Sequence, residues 1–161
     1  MRITALLVAS FAFAAQPPLP ELRTEAAPGG SVFFVRNMAT QPLTAFVIEL
    51  VDYPGNSFAL WKDEINGDPI APGSERRIAV SAMMPGAVPE HMKLQAVIYA
   101  DGASSGMAQK IAGLIERRRA ALEKTRDSIR RLESQHAPDT AIAPLRTEER
   151  KLVASKPPLQ P

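Results

Sequence analysis

The amino-acid sequence predicts a mainly β protein with a C-terminal α region: an antiparallel β-sandwich, then a long helix and a shorter helix antiparallel to it. Short runs of alternating apolar and polar residues, separated by turn residues, extend to about residue 103. At Ser104–Ser105 the apolar period changes from two to about three and a half. A second amphipathic stretch follows Pro138. Because no helical pattern separates the strands, an antiparallel arrangement is favoured over β-α-β units.

The β-sandwich is predicted to span residues 31–103 and to contain five or more strands. Five runs show the pattern: Ser31–Asn37, Leu43–Asp52, Ser57–Asp63, Glu75–Ala82 and Lys93–Asp101. The second run is apolar enough for a strand that is covered on both faces along part of its length. Phe46 and Trp61 are the large side chains expected at the centre of the sandwich. Residues 16–30, rich in Pro, Ala and Gly, are expected to form an extended leader.

Residues 104–155 are predicted to form a helical hairpin or coiled-coil arm. The first helix is expected from Ser105 to about Gln135, with Ser104 or Ser105 as its N-cap. Its narrow apolar seam advances in alternating steps of three and four residues, as in a coiled coil. The seam contains six apolar residues, interrupted by Arg118 and Thr125: Ala108, Ile111, Ile115, Arg118, Leu122, Thr125, Ile129 and Leu132.

A second, shorter helix is expected around Ile142–Val153. Pro144 is expected near its start, because a proline in the middle of a helix would break it. The connection between the two helices is a short Pro/Asp turn, which favours an antiparallel pair. The final residues, 156–161, are expected to be a disordered tail.

The first fifteen residues predict a secretory signal peptide. Arg2 supplies a positive start, an almost unbroken apolar run follows it, and Ala12–Ala14 offers small residues for a signal peptidase. The run is about thirteen residues, shorter than the ~20 that a membrane-spanning helix needs, so no membrane span is expected. We therefore expect a secreted or periplasmic protein, with retention of the segment as an N-terminal anchor as the alternative.

The composition narrows the chemistry that the chain can carry. The sequence contains no cysteine, which excludes disulfides, thiol nucleophiles and cysteine-based zinc sites, and it contains two histidines. Charge is unevenly distributed, with six Lys and Arg against ten Asp and Glu in residues 16–106, and twelve against seven in residues 107–161. Such asymmetry indicates two structural units.

Part of the strand region resembles a family of secreted bacterial accessory domains of the immunoglobulin-like or fibronectin-III-like type. The resemblance spans Val32 to Ala82 and rests on Val35–Asn37, Pro42–Asp52 and the Pro-Gly turn of Ile70–Ser74 leading into Ile78. It implies an immunoglobulin-like β-sandwich in which the Asn and the Pro-Gly shape turns, and it implies no catalytic residue. The helical region lies outside the resemblance, and a shared fold carries no function by itself.

Three groups of residues could carry chemistry, and each has a simpler structural reading. The loop Asp63–Asp68 holds four oxygen-bearing side chains, but its spacing fails the EF-hand pattern, so a strand-connecting loop is favoured over a metal site. His91 lacks a nucleophile and an orienting partner in the sequence. Glu49 and Asp52 are expected on opposite faces of one strand. We therefore expect no catalytic residue, no metal and no cofactor.

The helical arm is the predicted binding element. The candidate partner-binding residues are Ile115, Arg118, Leu122, Arg126, Ile129 and Leu132. Nucleic-acid binding is not expected, because no aromatic residue follows Tyr99 and acidic residues interrupt the basic ones.

The sequence thus predicts an exported, non-enzymatic binding or scaffolding protein whose arm docks a protein partner or a second copy of the chain. The alternatives are a secreted hydrolase with an unrecognised carboxylate site and an electrostatic binder that makes weak contact with anionic surfaces through the basic helix.

Overall fold

The computed structural model describes residues 16–55, 57–81 and 89–155. The predicted signal peptide (1–15) and the predicted tail (156–161) lie outside these residues. The described chain forms two antiparallel sheets followed by two helices. In chain order the elements are β1 (Glu21–Ala27), β2 (Gly30–Arg36), β3 (Leu43–Leu50), β4 (Ala59–Asp63), β5 (Glu75–Ser81), β6 (Met92–Tyr99), β7 (Ser104–Gly106), α1 (Ala108–Ser134) and α2 (Asp139–Ala154).

The first sheet has the strand order β1-β2-β5 and the second has the order β4-β3-β6-β7. Side chains from both sheets meet in one hydrophobic cluster, here called the inner cluster, which includes Phe33, Val35, Phe46, Ile48 and Val97. The rings of Phe33 and Phe58 stack across it with centroids 6.0 Å apart. Each sheet therefore contributes side chains from one of its faces to the inner cluster.

The strand β3 is buried on both of its faces. Every residue from Leu43 to Ile48 is buried, and β3 pairs with both β4 and β6. Phe46 and Ile48 belong to the inner cluster, whereas Ala45 and Val47 belong to a second cluster on the opposite face of the sheet. This confirms the prediction that the strand is covered on both sides, and it requires an element that covers the outer face.

All five predicted strands are present, with ends displaced by no more than two residues. The prediction that residues 16–30 form an extended leader was wrong in part, because this stretch contains the paired strand β1. Its pairing with β2 runs from Glu21 opposite Arg36 to Ala27 opposite Gly30, through a tight turn in which Gly29 has a φ of 73°. A composition rich in Pro, Ala and Gly hid the strand, since the strand depends on pairing with its neighbour rather than on propensity.

The predicted serine N-cap was also wrong. Ser105 lies opposite Val97 in β7, and α1 begins at Ala108 with Met107 as an N-cap that makes no side-chain hydrogen bond. Between them Gly106 has a φ of 107°, and a Cβ at this position would lie 2.2 Å from the Gln95 carbonyl oxygen. Glycine at residue 106 therefore allows the chain to pass directly from sheet to helix.

The second helix begins earlier than predicted. It starts at Asp139, so that Pro144 is its sixth residue and lies inside the helix rather than in its first turn. Pro144 has no N–H to donate to the Thr140 carbonyl, and this hydrogen bond of the helix is missing. The prediction failed because packing of α2 against α1 outweighs the local cost of the proline.

The start of β1 is tied to the end of β6 by a tyrosine. The Tyr99 hydroxyl donates a 2.6 Å hydrogen bond to the Pro18 carbonyl oxygen. Burial, with a smaller contribution from the charge of Asp101, raises the pKa of Tyr99 to about 12.

The raised pKa of Tyr99 makes the folded state sensitive to alkali. Its ordinary value is 10.0, so the folded state favours the neutral phenol, and this stabilisation is complete below pH 10 and lost as the pH rises through about 12. We expect the stability of the wild type to fall more steeply over this interval than that of Tyr99→Phe, measured by urea unfolding at stepped pH. Parallel slopes for the two proteins would contradict the assignment.

Candidate binding surfaces of the helical hairpin

The helix α1 covers the outer face of the four-stranded sheet. Ala45, Val47, Ala96 and Ile98 of β3 and β6 form the floor of a second cluster, here called the outer cluster, and Leu114 of α1 packs into it. Ile111, Ile115 and Trp61 pack around its edge. The small residues on the floor let the helix approach closely, so the outer cluster fixes the position of α1 on the sheet.

Trp61 was predicted to fill the centre of the sandwich, and that prediction was wrong. It pairs opposite Val47 and therefore lies on the outer face, against α1. Arg117 holds its guanidinium 4.5 Å from the centroid of the indole ring, and the Lys110 ammonium lies 5.9 Å away. Both distances are within the range of cation–π interaction. The indole is thus part of the contact between sheet and helix.

Gly113 leaves room for that indole. A Cβ built at residue 113 would lie 2.8 and 2.9 Å from two carbon atoms of the Trp61 ring. Real side chains do not approach so closely, so a larger residue must displace the indole or lift the helix.

We expect Gly113→Leu to destabilise the protein by about 1–3 kcal/mol, because the added side chain overpacks the contact with Trp61. The control is Ala112→Leu, one residue earlier on the exposed side of α1. Thermal or urea unfolding of both variants measures the difference. Equal stability of the two variants would show that the contact with Trp61 is loose.

A buried arginine connects the middle of α1 to both β3 and β4. The Arg118 Nε donates to Asp63 Oδ2 at 2.6 Å, and Nη2 donates to Asp63 Oδ1 at 3.1 Å and to Thr44 Oγ1 at 2.8 Å. Thr44 in turn donates to the Ile98 carbonyl oxygen at 2.9 Å. The Arg118 side chain is 9% exposed and that of Asp63 is 27% exposed. The two-point contact fixes the guanidinium orientation as well as the helix position.

The helices α1 and α2, joined through residues 135–138, form an antiparallel hairpin. Glu133 pairs with Arg146 near the turn, and Arg126 pairs with Glu149 farther from it, each at 2.8 Å. Ile129 is buried between the helices. The C-terminal end of α2 returns to the sheets, where Glu148 accepts a 3.0 Å hydrogen bond from the Asn66 side chain. The helical hairpin is therefore attached to the body at both α1 and α2.

The coiled-coil prediction was wrong for the described residues. The predicted seam is divided between two partners within one chain: its first half packs on the sheet and its second half packs on α2. A continuous seam that could pair with another helix is not left open along α1. The spacing of the seam residues does mark a buried side of α1, but the sheet and α2 of the same chain bury it.

The structure places the six candidate partner-binding residues as follows. Ile115 is partly buried at the outer cluster, and Arg118 is 8% exposed and holds Asp63. Ile129 is buried, and Leu122 and Leu132 are partly buried. Arg126 is exposed but is paired with Glu149. These residues hold the hairpin together and to the body.

One side of α1 carries a row of three cations. Arg117, Lys124 and Arg131 are exposed and recur every seven residues, which spaces them about 10.5 Å apart along the helix, and Arg117 also contacts the Trp61 ring. We call this row the basic flank. Among the described residues no carboxylate lies within 4 Å of its three side chains, whereas Arg119 and Arg130 pair with Glu116 and Asp127.

The basic flank was not predicted from the sequence. The three consecutive arginines, Arg117–Arg119, spread around the helix and so indicate no single stripe. The signal that could have found the row was the seven-residue spacing of Arg117, Lys124 and Arg131, the same spacing that revealed the apolar seam.

A cleft lies beside the buried arginine, between the end of α2, the loop that follows β4 and the end of β6. We call it the hairpin cleft; its volume is about 340 Å³. Ten residues line it: Thr44, Ile65, Gly67, Pro69, Tyr99, Ala100, Arg118, Lys151, Ala154 and Ser155. The cleft exists because α2 returns to the sheet body without packing fully against it.

The acidic loop, in which a metal site was not favoured, is neutralised by arginines. Asp63 binds Arg118, while Glu64 and Asp68 lie 3.7 and 3.3 Å from Arg76. Among residues 16–55, 57–81 and 89–155, no three His, Cys, Asp or Glu side chains are grouped so that they could hold a metal ion.

The remaining titratable candidates have local structural contacts. His91 places Nδ1 3.1 Å from the Val51 carbonyl oxygen, and its ring meets the edge of Tyr53. Glu49 accepts a 2.6 Å hydrogen bond from Lys110. Asp52 occupies a turn with a φ of 55°.

Comparison with known proteins returned no relative. No protein-family profile, no curated protein and no solved structure matches the chain. In the part of the chain that the structure describes, neither helix combines the length and the apolar character that crossing a membrane requires.

Removal of the Asp63 carboxylate should destabilise the attachment of α1. We expect Asp63→Ala to cost about 2–3 kcal/mol, because it leaves Arg118 buried without its anion; the partial exposure of Asp63 keeps the cost below that of a fully buried pair. The matched control is Asp127→Ala, which breaks the exposed pair with Arg130 and should cost at most about 0.5 kcal/mol. Urea unfolding measures both. A cost for Asp63→Ala no larger than that of the control would show that the buried pair does not hold the helix.

Proposed function

We propose that this chain is an exported, non-enzymatic binding protein, in which a β-sandwich body carries a fixed helical hairpin that docks an acidic protein partner on its basic flank. Export rests on the signal-peptide pattern of residues 1–15. The observation that carries the binding proposal is the row of three exposed cations on a helix whose apolar seam is already used inside the chain.

The sandwich proposal is supported by the strand order and by the inner cluster. One sheet has three strands and the other has four, and side chains from both share one core, which supports a likeness to immunoglobulin-like and fibronectin-III-like sandwiches. In the constant-type immunoglobulin domain the fourth strand pairs with the fifth. Here β4 pairs with β3 instead, so the strand order departs from the constant-type arrangement.

The hairpin supports a docking role because it is held against the sheet and is positively charged. In the described chain residues 108–155 carry eleven Lys and Arg against seven Asp and Glu. Two of these cations, Lys110 and Arg118, are used in pairs with Glu49 and Asp63 of the sheet. Since α1 is fixed by the sheet, the cations of the basic flank are presented without an ordering cost for the helix itself.

The shape of the basic flank favours a narrow acidic partner over a flat anionic surface. The three cations form a single file about 21 Å long. Glu116, Glu123 and Asp127 lie on the neighbouring face of α1, with Glu116 and Asp127 held by arginines. A helix or an extended segment with spaced carboxylates can follow the file without meeting these acids, whereas a membrane surface would meet them.

The test uses fluorescein-labelled poly-L-glutamate as a defined acidic probe. We expect binding by anisotropy at low salt that weakens steeply as salt is raised, because the interaction is between exposed charges. The combined substitution Arg117→Glu, Lys124→Glu and Arg131→Glu should weaken binding by about tenfold or more, since each ion pair with the probe is worth roughly 0.5–1 kcal/mol.

The matched control reverses three exposed cations on the strands, Arg36→Glu, Arg77→Glu and Lys93→Glu, and so changes the net charge equally. It should retain binding within about threefold, because these residues lie outside the basic flank. Equal losses in both triple variants would mean that overall charge, and not the basic flank, governs binding. The absence of any salt-sensitive binding would overturn the proposed function.

A further inference from the structure

We infer that the hairpin cleft is a binding site for a small amphiphilic anion, meaning an organic carboxylate, sulfonate or phosphate with an apolar body. The site is separate from the basic flank and does not depend on it. Three features of the cleft support this assignment: the charge of its lining, the state of the buried Arg118 and the distribution of its apolar side chains.

The charged residues among the ten that line the cleft are both cations. Arg118 reaches the cleft from α1, and Lys151 reaches it from the last turn of α2. Two nearby carboxylates are already paired, Asp63 with Arg118 itself and Glu64 with Arg76, and Asp101 directly follows the lining residue Ala100. An entering anion would therefore meet the Lys151 ammonium and the unpaired end of the Arg118 guanidinium, and no carboxylate lines the cleft.

Arg118 has hydrogen-bonding capacity left for a ligand. Its Nε and Nη2 bind Asp63 and Thr44, while Nη1 makes no hydrogen bond to another described residue. The side chain is nine-tenths buried, so its orientation is set before a ligand arrives. A guanidinium with two free N–H groups at the wall of a cleft is suited to an oxyanion, which accepts hydrogen bonds in the plane of the group.

The remainder of the lining is suited to an apolar body. Ile65, Pro69, Ala100 and Ala154 contribute aliphatic surface, and the Tyr99 hydroxyl is turned away to Pro18. A volume of about 340 Å³ falls at the lower end of the range for small-molecule sites. Apolar walls with a few convergent polar groups are the usual composition of such sites.

Each cation also has a structural role, but those roles do not explain the cleft. Lys151 lies near the C-terminal end of α2, where a positive charge is favourable. Arg118 holds the helix to Asp63. Neither role requires that the two side chains line one open volume with aliphatic walls, and ligand binding does.

The experiment titrates the full chain with 8-anilinonaphthalene-1-sulfonate, an aromatic sulfonate whose fluorescence rises in apolar sites. We expect saturable binding of one probe for each chain. Lys151→Glu should weaken binding by about fivefold or more, because it replaces an attraction with a repulsion. The matched control Arg150→Glu changes the net charge equally at a residue that does not line the cleft, and should change affinity by less than about twofold.

Two further arms test where and how the probe binds. Ala154→Trp should abolish binding by filling the cleft, and Ala100→Trp, at a lining residue that follows β6, provides a second block if the first variant unfolds. The uncharged analogue N-phenyl-1-naphthylamine should bind more weakly than the sulfonate and should not respond to Lys151→Glu, since it lacks the anion.

The inference is overturned if Lys151→Glu and Arg150→Glu have equal effects, if both folded tryptophan variants bind the probe as the wild type does, or if no saturable binding occurs. Binding of poly-L-glutamate to the basic flank is measured on the same variants. Because it should persist in both tryptophan variants, failure of the cleft is distinguishable from failure of the proposed function.

Discussion

The structure depends on the packing of α1 against the outer face of the β4-β3-β6-β7 sheet. That face is apolar through Ala45, Val47, Ala96 and Ile98, so it would be exposed to water without the helix. Leu114 covers it, and the contact of Arg118 with Asp63 and Thr44 sets the register of helix on sheet. The return of α2, the position of the hairpin cleft and the direction of the basic flank all follow from this one contact.

The acidic strand region and the basic hairpin are not independent units, because oppositely charged residues of the two parts form ion pairs with each other. The described strands and loops, residues 16–107 without the gaps, carry six Lys and Arg against ten Asp and Glu, and the hairpin carries the opposite excess. Part of this difference is matched where the two surfaces meet, at Lys110 with Glu49 and at Arg118 with Asp63. The remainder faces solvent, and the basic flank is part of it.

The sequence predicts the elements better than their contacts. The five predicted strands and both helices are visible in the pattern of apolar residues, since burial on one face imposes a period of two or of about three and a half. The pattern does not say which surface a seam meets, so Arg118 and Ile129 were expected to contact a partner and instead contact the same chain. The cleft brings Thr44, Arg118 and Lys151 together from distant positions, and no local signal marks such a site.

The order of synthesis gives the helix packing a further consequence. A ribosome completes the strands of both sheets before it completes α1, because the helix begins at Ala108, after the last strand. Until then β3 and β6 present bare aliphatic side chains to their surroundings. During that interval the exposed apolar face can associate with other chains. Packing of α1 onto the sheet ends the exposure, and a chaperone bound to the face would shield it until then.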